Sequence, residues 1–311
     1  MKAAAIGIGS NSVRCLLAEE AEGTFRRLWR DREGTRLFAG LDGQGNLSPE
    51  SMEKTAGAVK RMAEEARIRG AEKLYLFATS AARDARNGAD FVEALRRAAG
   101  EEPRILSGEE EAGYSFLGAS AAAGGERCGV IDIGGGSTEI AVGSRDGLEC
   151  SFSCQMGAVR LYRRLRIESA EDMPPVEAAA AEMLRERLAE EKALALPEIW
   201  VGTGGTFTAL AAMIRRCPWT DRTDTQGTRL NLAQIRAAGE ELAPLTPEQR
   251  LLIPSLQPSR ADIVVHGICI LLGVLRALER DSVIVSEWGN LDGYLAEQMS
   301  MHHSSITMGK E

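Results

Sequence analysis

An α/β fold made of two related lobes is predicted by three observations: a motif that occurs twice, strands alternating with helices, and a length beyond the usual single core. Residues Ile6-Gly7-Ile8-Gly9-Ser10-Asn11-Ser12-Val13 align without a gap on Ile131-Asp132-Ile133-Gly134-Gly135-Gly136-Ser137-Thr138, 125 positions later. Each copy reads as an apolar strand ending in small residues, a Ser/Thr turn, and a second strand (Val13 to Ala18; Glu139 to Val142). Such a hairpin has a tip with almost no side chains, so backbone N–H groups can close around an anion. Two tips imply two lobes gripping one phosphorylated ligand. A chain of 311 residues makes two domains the default. The seam is expected near residue 120, giving 1–120, with 290–311 as a candidate added helix, and 121–290.

The elements follow in order. After the first hairpin, Thr24 to Arg32 reads as a strand. Ser48-Pro49-Glu50 starts a helix, with Ser as N-cap and Pro in the first turn, and Gly70 ends it. Lys73 to Ala78 is an apolar strand, Gly88 to Ala98 a helix, Arg104 to Leu106 a short strand and Glu109 to Ala121 a helix. The Gly124-Gly125-Glu126 turn leads into the second motif. Pro174-Pro175 opens an alanine-rich helix expected to reach Ala195. Ile199 to Val201 is a strand ending in Gly202-Thr203-Gly204-Gly205-Thr206, with a helix behind it. Ser259-Arg260-Ala261-Asp262 is expected to cap the apolar helix Ile263 to Leu278; Ser282 to Val285 is a strand, and a last helix follows Asn290.

Composition narrows the function. A net charge of −8 argues against broad nucleic-acid binding. An anionic substrate fits nonetheless, because 31 of the 37 cations are arginines, whose planar fork binds phosphate through two hydrogen bonds. Arg160, Arg163, Arg164 and Arg166 form one cluster, although solvated helix faces are the ordinary use of such residues. The six cysteines include no CxxC pair and read as reduced thiols of a cytoplasmic protein. The apolar stretch Ile263 to Leu278 holds His266 and Arg276, too short and too polar for a bilayer. Ser10-Asn11-Ser12 interrupts the N-terminal apolar run, so neither signal peptide nor membrane association is expected.

The run Gly134-Gly135-Gly136 is not a P-loop, since no Lys-Ser/Thr follows and the next segment reads as strand, and it lacks GxGxxG spacing. Its flanks carry the chemistry. Asp132 and Glu139 bracket the turn on adjacent strands, where both can reach a divalent cation beside phosphates. Gly204-Gly205-Thr206, at a strand-to-helix junction, is either an anion or nucleoside contact or simply a close-packed turn.

The chain resembles the exopolyphosphatase/guanosine-pentaphosphate phosphohydrolase (Ppx/GppA) family, part of the superfamily of actin, sugar kinases and heat-shock ATPases. The resemblance rests on Ala5–Arg14, Ala78–Asn87, Ser107–Ala112, Val130–Glu139, Met156–Leu161, Gly202–Thr206 and Arg260–Asp262, in the family's order and covering Ala5 to about Leu295. It implies two actin-like (ribonuclease-H-like) domains with mixed sheets flanked by helices and an interdomain cleft, in the short two-domain form. It also implies hydrolysis of inorganic polyphosphate or guanosine pentaphosphate (pppGpp) with Mg²⁺, and is compatible with a homodimer. Carried over residue by residue, Glu111 is the general base with Glu110 as second choice. Arg83 clamps substrate phosphates, Asp132 and Glu139 hold the metal, and Gly9, Ser10, Asn11, Ser12, Gly134, Gly135, Gly136, Ser137, Gly204, Gly205 and Thr206 contact phosphate.

Three positions depart from the family pattern. Gly7 stands where the family has an Asp that helps place the metal or its waters; losing such a carboxylate typically costs ~10–100-fold in affinity or activity. Ser286-Glu287-Trp288-Gly289-Asn290-Leu291-Asp292-Gly293 replaces a Ser…Gly-Leu-Arg-Glu-Gly motif, exchanging an arginine for an acidic neighbourhood and predicting a weaker grip on long polyanions. Phe38-Ala39-Gly40 replaces polar residues. The preferred expectation is a phosphoanhydride hydrolase; the alternative is a catalytically impaired polyphosphate- or nucleotide-binding regulator. A small-molecule kinase would need an adenosine pocket and an acceptor site, for which only Gly204-Gly205-Thr206 speaks.

Overall fold

A computed structural model describes residues 1–299 except 22, 192–193 and 222–223. The first lobe contains β1 (Lys2–Ile8), β2 (Val13–Ala21), β3 (Thr24–Glu33), α1 (Pro49–Ile68), β4 (Lys73–Ala78), α2 (Ser80–Asp84), α3 (Gly88–Ala99) and β5 (Arg104–Ile105). Helix α4 (Gly108–Ala119) leads into β6 (Cys128–Ile133), β7 (Thr138–Ser144), β8 (Gly147–Cys154), α5 (Ala158–Tyr162), α6 (Met173–Glu190), β9 (Ile199–Thr203) and α7 (Gly205–Arg215). The chain continues through β10 (Arg229–Asn231), α8 (Leu232–Leu242), α9 (Pro247–Arg250), α10 (Val264–Ala277), β11 (Ser282–Val285) and α11 (Asn290–Gln298).

The duplicated motif is a duplicated sheet. The first sheet runs β3-β2-β1-β4-β5 and the second β10-β11-β9-β6-β7-β8. Reading β6 for β1, β7 for β2, β8 for β3, β9 for β4 and β11 for β5 makes the orders of these five strands the same, with β10 added antiparallel at the edge of the second sheet. The directions agree too: two antiparallel pairings on one side of the leading strand and parallel pairings on the other. Both are mixed sheets with helices on each face, the architecture of two actin-like domains.

Packing explains where the site lies. Helix α1 forms as expected: Ser48 Oγ accepts from the Ser51 N–H at 3.2 Å and Pro49 occupies the first turn. Its buried stripe, including Ala58, Val59, Met62 and Ala66, covers one face of the first sheet. The other face is covered by α11, while α4 covers β6, β7 and β8. Helices α4 and α11 then pack on each other between the lobes, and Phe77, Tyr114 and Tyr294 join in one aromatic cluster (centroids 4.5 and 5.1 Å apart). The elements carrying Glu111 and Asn290 are thereby fixed back to back beneath the cleft.

Two sequence expectations are corrected. The alanine-rich helix stops at Glu190, short of Ala195; Glu191 leaves the helical region with ψ 58°, and residues 192–193 lie outside the described set. Asp262 does not cap the apolar helix, which starts at Val264 without a side-chain cap; it pairs with Arg36 of the first lobe instead. The C-terminal part of the helix proposed for 290–311 lies outside the described residues beyond 299. Among the described residues no helix is long and apolar enough to cross a membrane, and all six cysteines are free.

Candidate active site

The two hairpin tips share a cleft of about 400 Å³. Gly9, Ser10, Asn11 and Ser12 line it from the first lobe; Gly134, Gly135, Ser137, Gly204 and Gly205 line it from the second, with Glu111 and Asp132 at its floor. Each tip closes on itself in the same way: the Gly9 N–H donates to Ser12 O at 3.0 Å, and the Gly134 N–H to Ser137 O at 3.0 Å. Each tip also has its carbonyls drawn backward. The Phe38 and Arg36 N–H groups donate to Ser10 O (2.8 Å) and Asn11 O (3.0 Å). In the second lobe the Ala158 N–H donates to Gly134 O (3.0 Å), and the Val159 and Arg160 N–H groups to Gly135 O (2.9 and 3.1 Å). In a planar trans peptide the following N–H points opposite to the carbonyl. Pulling the carbonyls back therefore aims the amides of Asn11, Ser12, Gly135 and Gly136 toward the cleft.

The three consecutive glutamates of α4 have separate fates, because each helical residue turns about 100° from the last. Glu110 belongs to a capping box: it accepts from the Ser107 N–H at 2.8 Å while Ser107 Oγ accepts from its own N–H at 3.1 Å. It also pairs with Arg104, and these contacts hold its carboxyl below the ordinary value. It does not line the cleft. Glu111 points inward and is only 6 % exposed. Its Oε1 accepts a long bond from Asn290 Nδ2 (3.5 Å); Oε2 has no hydrogen-bond partner and lies 3.6 Å from Arg83 Nη1. Burial pushes this carboxyl from 4.5 up to about 7, helped by Asp132 and opposed by Arg83 and Arg14.

Asp132 and Glu139 face each other across β6 and β7. Asp132 lines the cleft and accepts from Ser115 Oγ at 2.8 Å. Glu139 sits behind it, bonded to Ser153 Oγ at 2.8 Å and absent from the cleft wall. Burial, then Glu111 and Asp132, drive the Glu139 carboxyl well above its ordinary value. Among the described residues no three His, Cys, Asp or Glu side chains converge as an all-protein metal cage. A hard cation held by one or two carboxylates, its remaining positions filled by phosphate oxygens and water, does fit: an acidic oxygen donor faces the cleft and the buried Oε2 of Glu111 lacks a partner.

Two other expected contacts, Arg83 and Thr206, are not part of the cleft wall. Arg83 donates from Nη1 to Leu106 O at 2.7 Å and lies 3.6 Å from Glu111 Oε2, and its Nη2 is buried without a hydrogen-bond partner. Gly136 is a packing point between the tips: a Cβ there would meet Ser80 Oγ at 2.6 Å and Ser10 Oγ at 2.8 Å. Thr206 is buried beneath α10 and does not reach the cleft. Gly7 is not an open gap. It pairs with Phe77 in the parallel β1/β4 register, and a Cβ on Gly7 would lie 2.7 Å from Phe77 Cζ. The buried ring fills the volume a side chain at position 7 would need.

Sequence reasoning passed over a wall of arginines. Arg14 is opposite Arg32 across β2 and β3, Leu16 opposite Arg30, and Ala18 opposite Arg27, so all four arginines share one sheet face, and all four line the cleft. Directly opposed like charges are unfavourable unless an anion sits between them. The available signal was the alternation Arg30-Asp31-Arg32. The acidic motif near the end does not oppose this wall: Asp292 receives Arg27 Nε at 2.7 Å and the Gly289 N–H at 2.9 Å, and Arg27 stacks on Trp288 at 3.8 Å. Asn290, from the same motif, accepts from Arg14 Nη2 at 2.8 Å.

The chain is similar to known proteins over most of its length. Residues 16–302 match the model of the Ppx/GppA phosphatase family. The chain is 33% identical over 310 residues to exopolyphosphatase 2 of Mycobacterium tuberculosis, covering 94% of this chain and 97% of the relative. The crystal structure of the Aquifex aeolicus Ppx/GppA family member superposes with a TM-score of 0.78 at 27% identity, over 96% of this chain and 98% of that one. A Cytophaga hutchinsonii exopolyphosphatase structure shares the fold, with a TM-score of 0.84 at 20% identity over 99% and 100% of the two chains. A family match over residues 16–302 and 33% identity along nearly the whole chain establish that the chain belongs to the Ppx/GppA phosphatase family.

Proposed function

We propose that the protein hydrolyses terminal phosphoanhydride bonds of inorganic polyphosphate, using Mg²⁺ or a similar divalent cation, with Glu111 as general base. The observation that carries this reading is Glu111 itself: a buried carboxylate with an unsatisfied oxygen at the floor of a cleft whose walls are two amide-rich tips. Its pKa near 7 suits proton abstraction at neutral pH, since a base is most effective when its pKa lies near the working pH.

The residues divide the work. Amides of Asn11, Ser12, Gly135 and Gly136 hold the terminal phosphoryl group from both sides, and Arg14, Arg30 and Arg32 receive phosphates further along the chain. Phosphoryl transfer needs little covalent help; it needs a positioned nucleophile and neutralised charge. Water attacks the terminal phosphorus, its proton passes to Glu111, and the bond from phosphorus to the bridging oxygen breaks. The electron pair leaves with the shortened chain, and orthophosphate is released. Arg83 keeps Glu111 oriented through the reaction. Asp132 would hold the cation, with Glu139 supporting it from behind; the cation supplies charge neutralisation at the phosphate oxygens.

Polyphosphate is favoured over pppGpp because the arginine wall repeats along one sheet face, matching a ligand that repeats its charge. The test is orthophosphate release from polyphosphate and from pppGpp, each with and without Mg²⁺. Cation-dependent release from polyphosphate, lost in Glu111→Gln, supports the reading. Equal release by the variant refutes the role of Glu111, and release from pppGpp alone refutes the substrate.

A further inference from the structure

We propose that Arg160 and Phe38 form a clamp that couples the two phosphate-binding tips across the lobes, making Arg160 a positioning residue for the bound phosphate. This rests on the reading of the cleft given above. Each tip is braced from behind by its own segment, residues 36–38 in the first lobe and 157–160 in the second. The two braces meet. The Arg160 guanidinium lies over the Phe38 ring, 4.8 Å from its centroid. Its Nε donates to Gly136 O at 2.7 Å, and Nη2 donates to Asp84 Oδ2 of α2 at 2.5 Å. Arg163 adds bonds to Leu41 O (2.9 Å) and Phe38 O (3.3 Å).

The geometry assigns Arg160 a specific task. It is absent from the cleft wall, so it acts through the loop. By holding the Gly136 carbonyl it turns the Ser137 N–H toward the cleft, as the backbone bonds at Gly134 and Gly135 do for the amides before it. Among the described residues the N–H groups of Gly135, Gly136 and Ser137 have no acceptor in the protein. The same guanidinium ties that loop to Asp84 and Phe38 of the opposite lobe, and so sets the spacing between tips. One planar fork reaching two acceptors while stacking on a ring is arginine chemistry; lysine offers a point charge and no fork. Gly157 is required for the brace, because a Cβ there would strike the backbone of Gly135 and Gly136. Phe38, one of this chain's departures from the family pattern, supplies the ring. Since a displacement of about 1 Å can cost on the order of 100-fold in a positioned reaction, a fixed spacing between tips has direct kinetic value.

The experiment uses Arg160→Lys, Arg160→Ala, Phe38→Thr and Arg160→Ala/Phe38→Thr in the full chain. Hydrogen exchange of peptides spanning residues 8–13 and 133–138 is measured without ligand. Tripolyphosphate binding with Mg²⁺ is measured by calorimetry in a Glu111→Gln background, and unfolding temperature is followed alongside. Exchange about 10-fold faster at both tips in Arg160→Lys is expected, with binding weakened about 10-fold and the unfolding temperature nearly unchanged. The double variant should be no worse than Arg160→Ala, because both changes open one clamp. Faster exchange confined to residues 133–138, unchanged exchange, or multiplying losses in the double variant would overturn the clamp. Should Arg160→Ala fail to fold, Arg160→Lys and Phe38→Thr decide. Coupled exchange with no tripolyphosphate binding by the parent chain would leave the clamp standing and refute the polyphosphate reading instead.

Discussion

Replacing Glu111 by Gln should stabilise the protein while abolishing turnover. A carboxyl whose pKa rises from 4.5 to about 7 on folding opposes folding by about 3 kcal/mol once the pH exceeds both values. The sign follows from proton counting. Between those pH values the folded chain holds a proton that the unfolded chain has lost, so stability falls as pH rises through the window. Below pH 4.5 both states are protonated and the cost vanishes. Glutamine has the same shape and no charge, so it removes the penalty, a penalty that the Arg83 contact at 3.6 Å already moderates. A gain of about 3 kcal/mol at pH 8 corresponds to a rise on the order of 5 °C in unfolding temperature. The assay is thermal unfolding of both proteins from pH 5 to pH 8 without added cation, alongside phosphate release. The gap between them should open as pH rises. A variant less stable at pH 8, or a gap independent of pH, would refute the assignment of Glu111 as a strained buried carboxylate.

Three further outcomes are expected. Gly7→Asp should lower the unfolding temperature, with a cost of about 1–3 kcal/mol for overpacking against Phe77, and should not raise phosphate release, as read by thermal melts and a phosphate assay. Asp132→Asn should weaken Mn²⁺ binding about 10–100-fold, measured by electron paramagnetic resonance titration, with the fold retained by circular dichroism. Glu110→Gln should cost about 1 kcal/mol through the loss of a charged cap and leave turnover within about two-fold, separating its role from that of its neighbour.

The lobes were legible because the duplicated hairpin is local: small residues at each tip and apolar runs beside them suffice to specify it. The choice between Glu110 and Glu111 was also within reach, since Ser107-x-x-Glu110 is a capping-box spacing that commits the first of the two to its own helix terminus. Other features were hidden for a physical reason. Phe77 fills the space at Gly7 only because β1 and β4 pair in parallel at that register, which no local pattern encodes. Asp292 looked like a repulsive charge in the motif, yet its partner Arg27 lies 265 positions away. Arg83 lies beside Glu111, and its bond to the Leu106 carbonyl, 23 positions away, is a tertiary contact that the sequence does not spell out.

The central claim, water attack at a terminal phosphorus held between two amide tips, is tested most directly with ¹⁸O-labelled water. Hydrolysis of tripolyphosphate with Mg²⁺ should place one solvent oxygen in each released orthophosphate and none in the remaining pyrophosphate at early times. Label in the shortened chain instead, or phosphate release unchanged in Glu111→Gln, would contradict the account.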